Sequence, residues 1–350
     1  TLFRSARERR EALAGIADGS IDLLIGSHAL IEDRVQFSNL GFVVIDEQHR
    51  FGVEQRARLW TKNEQPPHIL VMTATPIPRT LAMTLYGDLD VSVIDELPPG
   101  RQPIRTVHYT DAARLRLFGF MRQEIKKGRQ IYVVYPLIKE SETMDYKDLQ
   151  DGYEAISRDF PLPEYVTTIC HGKMKPEDKE ESMRQFKSGE ANIMVATSVI
   201  EVGVDVPNAT VMVIESAERF GLSQLHQLRG RVGRGSQQSY CILMSGEKLS
   251  KEARLRLEAM CETNDGFRLA ELDLKLRGAG DVNGTLQSGM AFDLKIANPT
   301  LDSQILTVTR EAAAEVLTAD PTLTQNGHEG LRELRKRYSG REEIDFSQIS

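Results

Sequence analysis

The residues of this chain that are best suited to chemistry are two adjacent acids, Asp46 and Glu47, which follow the apolar run Val43-Val44-Ile45. Three β-branched residues in succession predict a buried parallel strand, and in open α/β sheets functional groups collect at the carboxyl ends of such strands. In nucleoside-triphosphate hydrolases an acid at this position helps to hold Mg²⁺, and a neighbouring group orients the attacking water. The pattern therefore indicates an ATPase site in which Asp46 takes the metal and Glu47 the water. Considered alone, such a run is more often a surface strand end with two solvated acids, so the rest of the chain decides.

A second apolar run, 69–72, ends in the small hydroxylated residues Thr73 and Thr75. Pro76 prevents the predicted strand from continuing. Threonine side chains at a strand end are small enough to contact a neighbouring site that senses phosphate. The alternative is an ordinary strand-ending turn, but the position of this stretch after the acidic strand favours the functional interpretation.

Ser27 and His28 follow another predicted short strand, at 21–25. A hydroxyl and an imidazole at such a place are able to contact a nucleic-acid backbone. Taken alone, the stretch is more typical of a strand-to-loop turn.

The second half of the chain carries two more polar sites. Thr197 follows the apolar run 193–196, and the carboxylate of Asp205 a few residues later is able to accept a hydrogen bond from a ribose hydroxyl. Further on, Arg231 and Arg234 lie in a G-R-x-G-R frame between glycines. An arginine that reaches across a cleft stabilises charge on a transferring phosphoryl group. The alternative, a solvated basic helix end, is the weaker interpretation beside an acidic strand end.

Composition is that of a globular protein. The 350 residues are 40% hydrophobic and 27% charged, and no apolar run approaches the roughly 18 residues of a membrane span. We therefore expect a cytoplasmic protein with no membrane partner. The three cysteines, Cys170, Cys241 and Cys261, form no metal-binding pair and are expected to be reduced and packed. The net charge of −7 argues weakly against nucleic-acid binding, although a local basic groove is compatible with it.

The apolar runs predict an α/β protein with RecA-like parallel sheets, one partial and one complete, followed by a helical hairpin and carboxy-terminal helices. Three prolines and a glycine within 95–103 mark a stiff connection. We expect the partial sheet in 1–97, the complete sheet in 98–246, and the hairpin, a glycine-rich loop and the last helices in 247–350. Helices in the complete domain are expected to end near Gly128 and Gly189, where basic residues precede a glycine.

Together these residues identify a resemblance to the RecG family of ATP-dependent DNA helicases, superfamily 2 translocases that remodel branched DNA. No single motif is highly specific, but their order and spacing are. The motifs are GSHAL at 26–30, DEQHRFGVEQR at 46–56, MTATPIPRTLA at 72–82, CHGKM at 170–174, TSVIEVGVDVPNA at 197–209, QLRGRVGRG at 227–235 and the RGAGD…G…QSG loop at 277–289.

The resemblance implies two RecA-like domains with ATP between them and DNA across their faces. Asp46 would then serve Mg²⁺ and Glu47 the water, while Gln48 and His49 would couple nucleotide state to the two threonines of the MTATP motif. In the second domain, ATP would be contacted by the residues that match the family's later motifs, namely Gly203, Asp205, Gln227, Arg231 and Arg234. The two arginines would act as arginine fingers, which stabilise charge on the transferring phosphoryl group.

The resemblance also implies that the stretch from about Leu249 to Gly289 is a translocation motif. In it, Arg277 and Gln287 match the polar positions that couple ATP hydrolysis to DNA movement. Stalled forks and Holliday junctions would be the substrates, single-stranded DNA-binding protein a partner, and the monomer the working form.

The chain departs from the family pattern in three respects. It contains no G-x-x-x-x-G-K-[ST] phosphate loop, which predicts a carboxy-terminal fragment that is not an active ATPase alone. Ala279 stands where the family usually has proline, and Leu286 where it usually has a basic residue. Two alternatives stay open: a transcription-repair coupling translocase, which shares the coupling loop, and a non-catalytic nucleic-acid-binding module derived from a degenerate helicase core.

Overall fold

The computed structural model describes residues 6–32, 34–47, 66–73, 92–94, 96–136, 142–197, 206–277 and 303–339. These residues form a two-stranded and a six-stranded sheet, and both sheets are wholly parallel. Parallel pairing agrees with the prediction of an α/β fold. The strands are β1 (Phe42–Asp46), β2 (His68–Met72), β3 (Arg105–Thr110), β4 (Gln130–Tyr135), β5 (Thr167–Cys170), β6 (Ile193–Thr197), β7 (Ala209–Ile214) and β8 (Tyr240–Ser245).

Between β3 and β8 a described helix separates each strand from the next, except β6 from β7, and the described elements after β8 are all helices. The predicted ends near Gly128 and Gly189 are confirmed, since the helices before them stop at Lys126 and Lys187. The helices are α1 (Ala6–Asp18), α2 (Arg114–Lys126), α3 (Glu142–Asp159), α4 (Pro176–Lys187), α5 (Leu222–Arg229), α6 (Lys251–Glu262), α7 (Gly266–Arg277), α8 (Ser303–Ala319) and α9 (Glu329–Ser339).

The six strands lie in the order β3-β8-β7-β4-β6-β5, with β7 and β4 at the centre. Side chains alternate along each strand, so Tyr132 and Val134 pack on one face while Ile131 and Val133 pack on the other. Helices α2 and α3 cover the second face, and α4 to α7 contribute apolar side chains to the first. The sheet is therefore buried on both faces, as its apolar strands require.

Residue contacts divide the chain into two compact units, one of residues 1–92 and 277–350 and the other of residues 93–276. The hairpin α6–α7 belongs to the second unit, because Leu257, Met260 and Leu269 are buried in the core of the six-stranded sheet. This division differs from the predicted boundary at 247, which separated the hairpin from that sheet.

Some local predictions were wrong. The stretch 21–25 is not a strand: Leu23 and Ile25 are exposed and the segment has no regular structure, because no neighbouring strand among the described residues pairs with it. Cys261 is exposed rather than packed, whereas the other two cysteines are buried and all three are free. Strand β3 was not predicted, because its sequence RTVHYT is half polar.

Within the described residues, no helix is both long enough and apolar enough to span a membrane.

Candidate functional site

Asp46 and Thr73 lie at the same edge of the two-stranded sheet. Strands β1 and β2 pair in register, with Asp46 opposite Met72, so Thr73 follows at the next position. Both residues are exposed. The parallel arrangement thus brings together the ends of two motifs that are 27 positions apart in the sequence.

The alternation of β1 explains why Asp46 is accessible. Ile45 is 4% exposed and packs with Ile31, and the partly buried Ile69 and Val71 of β2 join the same cluster. The side chain that follows Ile45 is therefore directed away from this cluster. The apolar residues fix the strand, and the strand presents the carboxylate.

Glu47 has a left-handed backbone conformation, with φ of 54°. This region is uncommon for a residue with a side chain, and such strained residues cluster at functional sites. Glu47 is half-buried, in contrast to the exposed Asp46. The chain therefore turns sharply just after the strand. Gln48, His49 and Thr75, the other predicted residues of this edge, lie outside the described residues.

The side chains at this edge include one group, a carboxylate, that suits Mg²⁺ bound to a nucleotide. Mg²⁺ in nucleotide sites is held by one or two carboxylates together with phosphate oxygens, and Asp46 offers an accessible carboxylate. In the described part of the chain, no group of three or more His, Cys, Asp or Glu side chains is arranged to hold a metal without such a ligand. The sequence contains no phosphate-cradling loop, so these residues by themselves do not make a complete nucleotide site.

The predicted arginine fingers follow the short helix α5. Leu222, Leu225 and Leu228 of this helix are buried, while Gln227 is exposed on the other side. The helix ends at Arg229, and the predicted finger residues come just after it. Apolar packing thus fixes the helix that precedes residues 230–235, which we call the finger loop after the predicted role of Arg231 and Arg234.

In the finger loop, Arg231 and Arg234 are half-buried. Gly233, between them, has a φ of +79°, and a Cβ atom there would lie 2.9 Å from Cγ1 of Ile104. A side chain at this position would therefore be both strained and too close to its neighbour. Backbone conformation and packing therefore explain why the second glycine of the G-R-x-G-R frame is a glycine, independently of any catalytic role of the arginines.

Arg229 is a residue to which the sequence analysis assigned no role. It is 2% exposed, and its Nη1 atom donates to the carbonyl oxygens of Met260 at 2.9 Å and Thr263 at 2.8 Å. These carbonyls lie at the carboxyl end of α6, where a cation is favourable. Burial lowers the pKa of Arg229 from its usual value. The sequence could have indicated that Arg229 is buried, because Arg229 continues the helical spacing of Leu222 and Leu225, which are buried.

His226 lies one turn before the end of α5 and is half-buried. Burial, reinforced by the charge of Arg229, lowers the pKa of His226 to about 4, although the charge of Asp265 opposes the shift. The imidazole is therefore neutral at physiological pH. The helix beside the finger loop carries its buried charge on Arg229 rather than on His226.

The carboxyl edge of the six-stranded sheet also holds an ion pair that the sequence did not predict. Glu215, just after β7, is 5% exposed and accepts two hydrogen bonds from Arg114, at 2.7 and 2.9 Å. Arg114 also donates to Asp111 at 2.5 Å. The hydrogen bonds to Glu215 raise the pKa of Arg114 above its usual value. No sequence signal connects Arg114 with Glu215, because they are 101 positions apart.

Thr197 ends strand β6 at the same edge. It is 1% exposed, and its Oγ1 atom has no hydrogen-bond partner among the described residues. Its predicted partners in the motif, Gly203 and Asp205, lie outside the part of the chain that the structure describes.

The remaining predicted residues are only partly described. Ser27 is exposed and precedes a short 3-10 helix, His28–Ile31, rather than a strand end. Arg277 is the last residue of α7, but its side chain, like that of His28, is not among those described. Gln287 lies outside the described residues altogether.

Three protein-family models match successive parts of the chain. The model of the DEAD/DEAH box helicase matches residues 3–84, that of the helicase conserved C-terminal domain matches residues 114–236, and that of ATP-dependent DNA helicase RecG, domain 3, C-terminal matches residues 263–350.

Individual relatives agree with these models. ATP-dependent DNA helicase RecG of Synechocystis sp. is 52% identical over 95% of this chain and 39% of its own length. The Bacillus subtilis protein of the same name is 50% identical over 90% of the chain and 46% of its own length. The chain thus spans less than half the length of these relatives.

Solved structures point the same way. A structure of RecG bound to a three-way DNA junction matches with a TM-score of 0.64 and 43% identity, over 86% of this chain and 38% of the other. The helicase MrfA bound to DNA and AMPPNP, at 15% identity and a TM-score of 0.50 over 86% of this chain and 49% of the other, shares the fold alone. With about 50% identity over almost the whole chain and matching domain models in order, this chain belongs to the RecG family of ATP-dependent DNA helicases.

Proposed function

We propose that this chain is part of an enzyme that uses ATP to move along and remodel branched DNA. The observation that carries the proposal is the common edge of β1 and β2, where Asp46 and Thr73 of two separate motifs lie side by side in a RecG-family sequence. Branched DNA is the proposed substrate because the solved relative is bound to a three-way junction. We prefer this activity to that of a transcription-repair coupling translocase, since the relatives at 50% and 52% identity are RecG proteins.

In this proposal the residues of the matching motifs divide the work of ATP hydrolysis. The exposed carboxylate of Asp46 would hold the Mg²⁺ ion of the nucleotide, and the carboxylate of Glu47 would orient the attacking water. Arg231 and Arg234 donate to phosphate oxygens, where their charge favours the transition state. When bound, ATP with Mg²⁺ would supply the phosphoanhydride bond whose hydrolysis drives movement. Gln48, His49, Gly203, Asp205 and Gln227 are proposed to contact the nucleotide.

The proposed DNA-facing and coupling residues are a separate group. They are Ser27, His28, Thr73, Thr75, Thr197, Arg277 and Gln287. We also propose that the working form is a monomer and that single-stranded DNA-binding protein is a partner.

The isolated chain is proposed not to turn over ATP. A loop of backbone N–H groups and a lysine must hold the β and γ phosphates, and the only Gly-Lys pair, Gly172-Lys173, is followed by methionine. Phosphate release should therefore remain at background when the 350-residue chain is mixed with ATP, Mg²⁺ and a three-way junction. Turnover comparable to that of a full-length relative would contradict this point.

The same missing loop favours a second candidate, a DNA-binding module that never hydrolyses ATP. A chimaera separates the two. The matching part of the Synechocystis RecG protein is replaced by this chain, and ATP-dependent unwinding of a three-way junction is measured. Unwinding supports the helicase, provided that Asp46→Asn abolishes it. A folded chimaera that binds the junction but neither hydrolyses ATP nor unwinds DNA supports the non-catalytic module instead.

A further inference from the structure

The finger loop is anchored at its beginning. Val232 is 2% exposed and packs in the core of the six-stranded sheet, and its backbone N–H donates to the carbonyl oxygen of Arg229 at 3.3 Å. Beyond Val232 the chain has no regular secondary structure until β8 begins. Arg234, one of the two predicted fingers, lies in this irregular part. Its position therefore depends on contacts between the loop and other segments.

One such contact comes from residues 102–104, which precede β3 and which we call the linker end. A Cβ atom built on Gly233 would lie 2.9 Å from Cγ1 and 3.0 Å from Cδ1 of Ile104, so this side chain covers the glycine backbone directly. Gly233 is buried, and Ile104 is half-buried and packs against the same core cluster as Val232. Ile104 thus contacts the loop where the backbone, with φ of +79°, turns from Arg231 towards Arg234.

Two hydrogen bonds join the linker end to the residues that follow the finger loop. Nε2 of Gln102 donates to the carbonyl oxygen of Ser236 at 3.2 Å, and Nε2 of Gln238 donates to the carbonyl oxygen of Pro103 at 2.9 Å. Both bonds are exposed, and a hydrogen bond that competes with water contributes little on its own. They align the two segments, so we expect the apolar contact of Ile104 to supply most of the restraint on the loop.

We propose that Ile104 is a positioning residue for the fingers: its side chain fixes the backbone at Gly233 and so directs Arg234 to the phosphate. The inference rests on the proposed function. A finger acts where its guanidinium meets charge that develops in the transition state, and a misplacement of about 1 Å can cost about 10²-fold in rate. Without Ile104, the glycine is free to use its wide range of backbone conformations. The alternative is that Ile104 only stabilises the core.

A first test uses the 350-residue chain and measures hydrogen exchange of backbone amides by mass spectrometry. Ile104→Ala should speed exchange in residues 231–235 at least about tenfold, because the loop opens locally without its support. Ile125→Ala is the matched control, since Ile125 is also half-buried but packs on the other face of the sheet. It should leave exchange in the loop unchanged, whatever it does to overall stability.

A second test measures DNA-stimulated ATP hydrolysis in the chimaera with the Synechocystis protein. Ile104→Ala should lower kcat about 10- to 100-fold and change the KM for ATP less than about twofold, because misplaced fingers lose transition-state charge stabilisation. Ile104→Leu keeps the volume of the side chain and should retain most of kcat. Ile125→Ala should keep both constants. Circular dichroism at the assay temperature shows that each variant is folded.

A double-mutant cycle tests the contact itself. In Gly233→Ala the new Cβ atom meets both Cγ1 and Cδ1 of Ile104 and also has an unfavourable positive φ. When Ile104 is replaced by alanine, those two atoms are gone and only the strain of φ remains. Gly233→Ala should therefore lower kcat at least about threefold less in the Ile104→Ala background than in the unsubstituted chimaera. Additive effects would mean that the two residues do not act through this contact.

The outcomes separate the role of Ile104 from that of the fingers. If Arg234→Ala leaves kcat of the chimaera unchanged, the finger assignment fails and Ile104 has nothing to position. If Arg234→Ala lowers kcat but Ile104→Ala changes neither kcat nor exchange in the loop, the fingers stand and Ile104 is only a core residue. Should Ile104→Ala not fold, Ile104→Val removes Cδ1 alone, and the same two measurements decide.

Discussion

Arg229 donates a hydrogen bond from Nη1 to the carbonyl oxygen of Met260 at 2.9 Å, and so joins the end of α5 to the end of α6. The same atom donates to Thr263 at 2.8 Å. One buried guanidinium therefore holds the helix before the finger loop against the first helix of the hairpin. Carbonyl dipoles at a helix end stabilise this cation, and its hydrogen-bond partners among the described residues include no carboxylate.

Replacement of Arg229 should destabilise the six-stranded unit. Arg229→Ala leaves a cavity and removes the donor from the buried carbonyl of Met260 and the partly buried carbonyl of Thr263, so we expect a loss of about 2–4 kcal/mol in the free energy of unfolding by urea. Arg268→Ala, at an exposed position on α7, is the matched control and should change stability by less than about 0.5 kcal/mol. Equal effects of the two substitutions would show that the contact with α6 contributes little.

Two ion pairs of the same chemistry should differ in strength. Arg114 and the buried Glu215 should show a coupling free energy of about 1–3 kcal/mol in a double-mutant cycle, because the carboxylate is desolvated and doubly hydrogen-bonded. The exposed pair of Arg184 and Glu181 has similar geometry, yet solvent screening should make its coupling weaker and sensitive to salt. Stronger coupling in the exposed pair would contradict this reasoning.

Stability should fall as pH is lowered because of His226. Its folded pKa of about 4 lies below the usual value of 6.5, so in this window the unfolded chain binds more protons than the folded one. Stability is therefore retained above about pH 6.5 and lost progressively towards pH 4. Between pH 7 and 5 the loss due to His226 should be about 2 kcal/mol. Urea unfolding of His226→Gln at both pH values should show a decrease smaller by that amount; an identical decrease would exclude His226 as the cause.

Arg231 and Arg234 should affect catalysis more than nucleotide affinity. In a full-length relative substituted to alanine at the position aligned with Arg234, kcat should fall about 10³- to 10⁵-fold while the Kd for ATP changes little, because fingers act on transition-state charge. The position aligned with the exposed Arg219 is the control and should leave kcat unchanged. A weakened affinity with normal kcat would mean that these arginines only bind ATP.

Several features were predictable from the sequence because they depend on local pattern. The apolar runs at 131–135, 193–196 and 211–214 gave buried strands, since β-branched and aliphatic residues in short runs have few other stable arrangements. The hairpin was also correctly predicted as two helices, α6 and α7. The segment 21–25 has the same apolar character, but it pairs with no strand in the part of the chain that the structure describes and has no regular structure. An apolar run alone is therefore insufficient.

The sequence by itself determined which residues end several of the strands, which helices stop at glycine and which motifs belong to one family, because these properties depend on residue type and short spacing. Only the tertiary structure decided the strand order, the edge shared by Asp46 and Thr73, the pairing of Arg114 with Glu215 and the burial of Arg229 against α6. Each of these is a contact between residues far apart in sequence. Such contacts form only when whole elements pack, and the spacing of residues along the chain does not specify which elements meet.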